Sequence, residues 1–162
     1  MPTDIGEFFV GACLSLQFNC DVVDYNVRPP GGGLDGLEEI DVVGLDFEGQ
    51  RAYVCEVTTH IRGLLYKSNR TTVERIAKKH ARQKRYAAQY LKTFRSEFMF
   101  WSPVVPRGYI TSHLEQLEDL QLVINGEYKK RIEALSKLAK NTTHDARIPV
   151  FRMLQIMGHM RE

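Results

Sequence analysis

The sequence has few cysteines and no cysteine or histidine spacing that is typical of a zinc site. Only three cysteines occur among 162 residues, Cys13, Cys20 and Cys55, and no two of them form a Cys-x-x-Cys pair. An odd count without that spacing argues against a disulfide framework and suits a reducing compartment. All three have largely apolar neighbours, so we expect them to be small buried side chains.

Membrane-spanning and export signals are also missing. No apolar run approaches the roughly 20 residues that a helix needs to cross a bilayer. The first nine residues contain acids instead of the cationic region that begins a signal peptide. We therefore expect a cytoplasmic protein without a membrane partner. The length and the 43% hydrophobic content fit one domain over residues 1–162, with a core at about 4–105 and an extension at about 106–162.

Positive charge is almost absent from the first third of the chain. Residues 1–58 contain eleven acids and two bases, whereas residues 59–95 contain eleven bases and one acid. An acidic segment followed by a basic one is typical of a cation site beside a phosphate-binding surface. The alternative interpretation is that both segments form ordinary solvated faces.

Hydrophobic periodicity predicts an α/β chain with a mixed sheet. The expected core is a helix from Asp4 to about Asn19, strands at 21–27, 39–46 and 50–58, a helix at about 71–92 opened by a Thr71–Glu74 capping box, and a strand at 97–105. Glycine and proline predict a loop at 29–37. Beyond the core we expect a short helix near 111–119, a strand at 120–124, a helix at 127–140 and an amphipathic segment after Pro149. Both faces of the second and third strands are mostly apolar, so this pair should lie inside a sheet covered on two sides.

Two acids lie where the second and third strands would face each other. With a two-residue turn at 48–49, Asp41 is opposite Glu56, and Asp46 is opposite Arg51 in a favourable charge pair. Two carboxylates among apolar neighbours are destabilising unless one is protonated or a cation lies between them. Oxygen ligands select a hard ion such as Mg²⁺ or Mn²⁺. A three-residue turn would shift this register, and an exposed Asp41 without a ligand role is the alternative.

Short motifs around these acids resemble those of the PD-(D/E)xK phosphodiesterase superfamily, the restriction-endonuclease-like nucleases. The matching segments, within about residues 5–105, are GEFF at 6–9, EEIDVVG at 38–44, YVCEVT at 53–58 and RQKRYA at 82–87. The resemblance implies an αβββαβ core with a mixed sheet between helices. It also implies Mg²⁺-dependent hydrolysis of DNA or RNA. Asp41 and Glu56 would then be the metal ligands, and Glu7 would be an assisting acid on the first helix.

The sequence departs from this pattern at the third element of the motif. Thr58 stands where the resemblance implies a lysine that positions the attacking water and neutralises developing charge. In some branches of the superfamily the next helix supplies this cation. Lys84 lies on the apolar stripe of the predicted helix, while Lys79 lies nearer its N-terminus, so both are candidates.

The exposed face of the basic helix is expected to bind substrate phosphates, which confers salt-dependent affinity without sequence choice. The residues expected there are Arg75, Lys78, Arg82 and Arg85, and the resemblance adds Gln83 and Tyr86 as the Q-x-x-Y element of RecB-like nucleases. Nucleic acid, in the first place DNA, is therefore the expected partner. One alternative is a nuclease-fold domain that binds nucleic acid without cleaving it. Another is an interaction subunit that docks a partner or a second copy of itself through C-terminal helices at 127–157.

Overall fold

Five strands form one mixed sheet and lie side by side in chain order. The computed structural model describes residues 3–30, 39–142 and 150–160, so the predicted loop at 29–37 lies outside the described residues beyond Pro30. The strands are β1 (Val22–Val27), β2 (Ile40–Asp46), β3 (Arg51–Val57), β4 (Arg95–Ser102) and β5 (Leu120–Ile124). The pairs β1–β2 and β2–β3 are antiparallel, whereas β3–β4 and β4–β5 are parallel and are joined through helices.

Helices cover both faces of this sheet. They are α1 (Ile5–Leu16), α2 (Asn69–Tyr90), α3 (Tyr109–Leu114), α4 (Asn125–Lys140) and α5 (Phe151–His159). One face of the sheet packs against α1, α4 and α5 around the buried Trp101. The other face packs against α2 and α3 in two clusters around Val54 and Phe100. The expected α/β class, the element order and the double covering of the β2–β3 hairpin are therefore confirmed.

The cysteines have the buried positions that the sequence predicts. All three cysteines are buried, and burial raises the pKa of the Cys13 and Cys20 thiols to about 12. Within the described ranges, no helix combines the length and the apolar character that crossing a bilayer requires.

Several element boundaries differ from the expected ones for local reasons. Helix α1 ends at Leu16, before Asn19, which has a left-handed backbone with φ of 54°. Helix α2 begins at Asn69 because Ser68 is its cap: the Ser68 hydroxyl accepts the Thr71 N–H at 3.1 Å. The expected Thr71–Glu74 capping box is wrong, since both residues already lie inside the helix.

The end of the sheet and the short third helix also differ from expectation. Strand β4 runs over Arg95–Ser102, not 97–105, because its first residue pairs with Arg51 and a proline follows its last. Helix α3 is only Tyr109–Leu114, and the residues up to 119 form turns before β5. Asp119, with φ of 61°, ends that connection.

The β2–β3 hairpin has the expected register but a longer turn. Val42 pairs with Cys55 and Asp46 with Arg51, while residues 47–50 form a four-residue turn instead of the expected two. The register survives because the two added residues are shared equally between the strands. The expected Asp46–Arg51 ion pair is absent among the described contacts, since Asp46 accepts the Gly49 N–H at 2.9 Å and Arg51 contacts Glu97 at 3.4 Å.

A fully buried amide anchors α2 to the sheet. The Gln83 side-chain nitrogen donates to the Val54 carbonyl of β3 at 2.8 Å and to the Met99 carbonyl of β4 at 3.0 Å. Its oxygen lies 3.1 Å from His80 Nδ1, and the other ring nitrogen of His80 lies 2.7 Å from the Glu118 carbonyl. These contacts determine which face of α2 is turned towards the sheet.

Replacing this amide should therefore destabilise the protein. We expect Gln83→Ala to lower the free energy of unfolding by about 1–3 kcal/mol, because it removes buried hydrogen bonds and leaves polar partners unpaired. The matched control is Gln89→Ala on an exposed position of the same helix, with an expected change within about 0.5 kcal/mol. Urea denaturation measures both values, and equal effects of the two substitutions would contradict the anchoring role.

Candidate active site

Asp41 and Glu56 lie side by side on the face of the sheet that α2 covers. The β2–β3 register ends at the pair Val42 and Cys55, and Asp41 and Glu56 are the residues next to that pair. Asp41 Oδ2 also accepts the Val57 N–H at 2.8 Å, which ties its carboxylate to the end of β3. Glu56 is 1% exposed, so its charge is almost completely removed from water. The two carboxylates lie close together, as expected, since both contact Lys79 and the charge of Asp41 raises the pKa of Glu56.

Two cations from α2 contact this carboxylate pair. Lys79 Nζ lies 2.8 Å from Glu56 Oε2 and 3.9 Å from Asp41 Oδ2, so one ammonium group contacts both acids. The guanidinium of Arg82 lies 3.2 Å from the other oxygen of Glu56. Each oxygen of the buried carboxylate therefore has its own positively charged partner.

The geometry distinguishes the two candidate lysines of α2. Lys79 precedes the anchoring Gln83 by four residues, so both side chains lie on the same face of the helix. Lys84 follows Gln83 by one residue and is rotated by about 100°. Its Nζ lies 3.3 Å from the exposed Asp119, outside the carboxylate pair. Lys79 is therefore the lysine at this site.

Glu7 on α1 is a third acid close to the pair. Its carboxylate is mostly buried and accepts the Asp4 N–H at 3.0 Å as part of the capping box of α1, and it also accepts from Asn26 at 3.4 Å. Burial raises the pKa of Glu7, and the negative charge of Asp41 raises it further, against the hydrogen bond from Asp4. The structure thus brings Asp41 within electrostatic reach of both Glu7 and Glu56.

Burial and repulsion make Glu56 a weak acid in spite of its cations. Burial and then the Asp41 charge raise its pKa, Lys79 and Arg82 lower it, and the net result is a rise from 4.5 to about 7. For Lys79, burial lowers the pKa, but the attraction of Glu56 and Asp41 outweighs it and the net pKa is raised. Near neutral pH, Lys79 stays charged while Glu56 is close to its titration point.

The donor set of this site suits a hard divalent ion. Asp41 and Glu56 offer carboxylate oxygens only, and Mg²⁺ commonly binds through one or two carboxylates while it keeps several waters. The raised pKa of Glu56 indicates that its two cations do not fully compensate for burial and for Asp41. Across residues 3–30, 39–142 and 150–160, no group of three or more His, Cys, Asp and Glu side chains is arranged to hold a metal. The fit therefore concerns an ion held by the two carboxylates and completed by water or substrate.

Two residues expected at the site have structural contacts instead. The Thr58 hydroxyl is buried and lies 3.0 Å from Ser102 Oγ on β4, so this position links two strands. The expected contact of Gln83 with nucleic acid is wrong, because Gln83 is 0% exposed and its amide binds a carbonyl group of the sheet. Arg82, expected on the exposed face of α2, turns to Glu56 with 21% of its side chain exposed.

The remaining residues of the expected binding face line two surface pockets along α2. A pocket of about 210 Å³ is lined by Tyr66, Arg75, Lys78, Lys79, Arg82 and Arg85. A second pocket, of about 290 Å³, includes Arg82, Arg85, Tyr86 and Tyr90 in its lining. Tyr66 and Tyr90 were not among the expected site residues. Tyr90 could have been found from its spacing of four residues from Tyr86, whereas Tyr66 lies in a connection without periodicity.

Comparison of the chain with models of protein families, with curated proteins and with solved structures found no match. The function must be inferred from the site itself: a buried carboxylate pair, two cations in contact with it and a basic surface beside it.

The titration of Glu56 should be visible in the stability of the protein. Between pH 4.5 and about 7 the folded state holds this proton more tightly than the unfolded state, so the contribution of Glu56 to stability is lost as the pH rises through that window. Relative to wild type, Glu56→Gln should therefore gain up to about 3 kcal/mol of unfolding free energy from pH 4.5 to pH 8.

Urea denaturation at four or five pH values measures this difference, with Glu97→Gln as the control because Glu97 is a partly exposed strand acid in contact with Arg51. The control should run parallel to wild type. A Glu56→Gln curve that is also parallel to wild type would show that Glu56 titrates normally.

Proposed function

We propose that this protein is a metal-dependent nuclease of the PD-(D/E)xK type, which hydrolyses phosphodiester bonds of DNA or RNA. The observation that carries the proposal is the contact of one lysine, Lys79, with two carboxylates from the neighbouring strands β2 and β3. An αβββαβ order of elements and a mixed sheet between helices accompany it. This combination is what the sequence motifs led us to expect.

The two acids have a defined place in this proposal. Asp41 and Glu56 would hold Mg²⁺ or Mn²⁺, which when bound lowers the pKa of water and stabilises charge on the phosphate. Binding of a cation would favour the ionised form of Glu56, whose pKa is about 7 in its absence. Glu7, beside Asp41, adds negative charge that favours binding of a cation.

Lys79 takes the place of the lysine that is missing at Thr58. Its ammonium group is held between the carboxylates by α2, and its raised pKa keeps it positively charged near neutral pH. A fixed positive charge at this point stabilises the negative charge that develops on the phosphate in the transition state. Arg82, which contacts the other oxygen of Glu56, would contact the same phosphate.

The basic surface of α2 supplies affinity for the substrate. Arg75, Lys78 and Arg85 line the pocket that also contains Lys79 and Arg82, so the phosphate-binding surface is continuous with the site. Contacts of this kind bind the backbone of any sequence. DNA is the first substrate to test and RNA the second.

A second candidate function is nucleic-acid binding without cleavage. The observation in its favour is that Lys79 and Arg82 already contact both oxygens of Glu56, so the chain itself supplies compensating charge for a buried acid. The docking of a partner or a second copy by α4 and α5 stays a prediction. Ile156 of α5 is 54% exposed there.

Cleavage assays with a matched pair of lysine variants test the nuclease. We expect DNA or RNA cleavage that requires Mg²⁺ or Mn²⁺, is abolished by EDTA and is lost in Asp41→Asn. Lys79→Ala should reduce the rate by about 10²–10³-fold, because it removes a preorganised positive charge. Lys84→Ala, on the same helix but in contact with Asp119, should change the rate by less than twofold.

Two results would decide against this proposal. The second candidate function would be favoured if nucleic acid binds without metal, no substrate is cleaved, and Asp41→Asn leaves the binding unchanged. Equal losses of activity in Lys79→Ala and Lys84→Ala would show that Lys79 has no special role. Circular dichroism and urea denaturation of each variant separate loss of chemistry from loss of folding.

The basic surface has a test that does not need catalysis. Reversing the charge at Arg75, Lys78 and Arg85 should reduce the slope of log Kd against log salt by about two to three, since each phosphate contact contributes about 0.7–0.9. The matched control reverses Lys129, Lys130 and Lys137 on α4, which covers the opposite face of the sheet. Fluorescence anisotropy in EDTA measures both slopes, and an unchanged slope in the α2 variant would place the phosphate contacts elsewhere.

A further inference from the structure

The two pockets along α2 adjoin each other and the candidate active site. Arg82 and Arg85 line both pockets, so these two side chains stand between them. Lys79 and Arg82 line the first pocket and contact Glu56, so that pocket adjoins the carboxylate pair through these two side chains. A ligand lying along the two pockets would pass over the cations that contact the acids.

Aromatic rings mark both ends of this surface. At one end Tyr66 lines the first pocket, with the guanidinium of Arg75 4.5 Å from its ring centre and the ring of His60 5.2 Å away. At the other end Tyr86 and Tyr90 lie 5.1 Å apart and line the second pocket, and Tyr90 is 37% exposed. Cationic side chains from α2 lie between the two ends.

The ring positions are too far apart to belong to one stack. Arg75, which covers Tyr66, and Tyr90 are fifteen residues apart on α2, and a helix rises 1.5 Å per residue, so the separation is roughly 22 Å along the helix axis. The arrangement is therefore one ring, a stretch of positive charge beside the carboxylates, and a second pair of rings.

Resting on the proposed function, we infer that the substrate of this site is an unpaired nucleic-acid strand, whose bases stack on the Tyr66–Arg75 pair at one end and on Tyr90 at the other, while its backbone crosses Lys79 and Arg82. A tyrosine can stack on a base only when that base is not enclosed between its neighbours in a duplex. A basic groove with aromatic platforms is the arrangement by which proteins bind single strands without sequence preference. Phosphate contacts alone would not distinguish a single strand from a duplex.

Binding in EDTA tests this inference separately from cleavage. The probes are a labelled single-stranded DNA oligonucleotide of mixed sequence, its RNA equivalent and the matching DNA duplex, with Kd measured by fluorescence anisotropy. Wild type should bind either single strand at least tenfold more tightly than the duplex. Tyr66→Leu and Tyr90→Leu should each weaken single-strand binding by about tenfold and leave duplex binding unchanged, since stacking on one ring is lost.

Phenylalanine variants and a remote tyrosine provide the controls. Tyr66→Phe and Tyr90→Phe keep the ring and should keep single-strand affinity within about twofold, which a role of the hydroxyl would not produce. Tyr109→Leu removes an exposed tyrosine on α3, outside both pockets, and should have no effect.

The possible outcomes separate this inference from the nuclease proposal. Ring-dependent preference for single strands without any metal-dependent cleavage supports the inference and overturns the nuclease. Metal-dependent cleavage that is lost in Asp41→Asn, together with equal affinity for single strands and duplex and no effect of either leucine variant, supports the nuclease and overturns the inference.

Discussion

The contact of a nearly inaccessible glutamate with two cations of a single helix is the interaction on which the candidate site depends. Glu56 cannot be ionised in an apolar sheet without nearby positive charge, and the negative charge of Asp41 increases this need. Lys79 and Arg82 supply positive charge to the two oxygens separately. Because both cations come from α2, the packing of that helix against the sheet determines the electrostatics of the site.

Gln83 connects packing to electrostatics. Its amide binds carbonyl groups of β3 and β4, and this contact turns one face of α2 towards the sheet. Lys79 lies on that face and Lys84 does not, which is why two lysines five residues apart have different surroundings. A residue that motif similarity assigned to nucleic acid is in fact the anchor of the helix that carries the cations. The site would therefore be sensitive to substitutions that change the rotation of α2, even without contact with the acids.

The proposed nuclease and the proposed single-strand groove use the same helix for different purposes. The face of α2 turned to the sheet carries the cations that contact the acids, whereas its solvent side and its C-terminal end carry further basic residues and Tyr90. Positive charge close to the carboxylates stabilises the reacting phosphate. Positive charge and aromatic rings farther along the helix increase affinity and give the preference for single strands over duplex. One amphipathic helix can thus combine catalysis and binding because its faces have different environments.

Local patterns in the sequence were sufficient for the α/β class, the order of the elements, the β2–β3 register and the proximity of Asp41 and Glu56. Runs of apolar residues and a turn centred on residues 48–49 act over a few positions, so the sequence carries them directly. Only the tertiary structure decided four further features. Lys79 and not Lys84 contacts the acids, and Arg82 turns to Glu56. Gln83 is buried, and Arg51 pairs with Glu97 instead of Asp46. Each depends on the rotation of a helix or on a neighbour brought close by a parallel strand. Contacts of that kind join residues 20 or more positions apart, which no periodicity in the chain records.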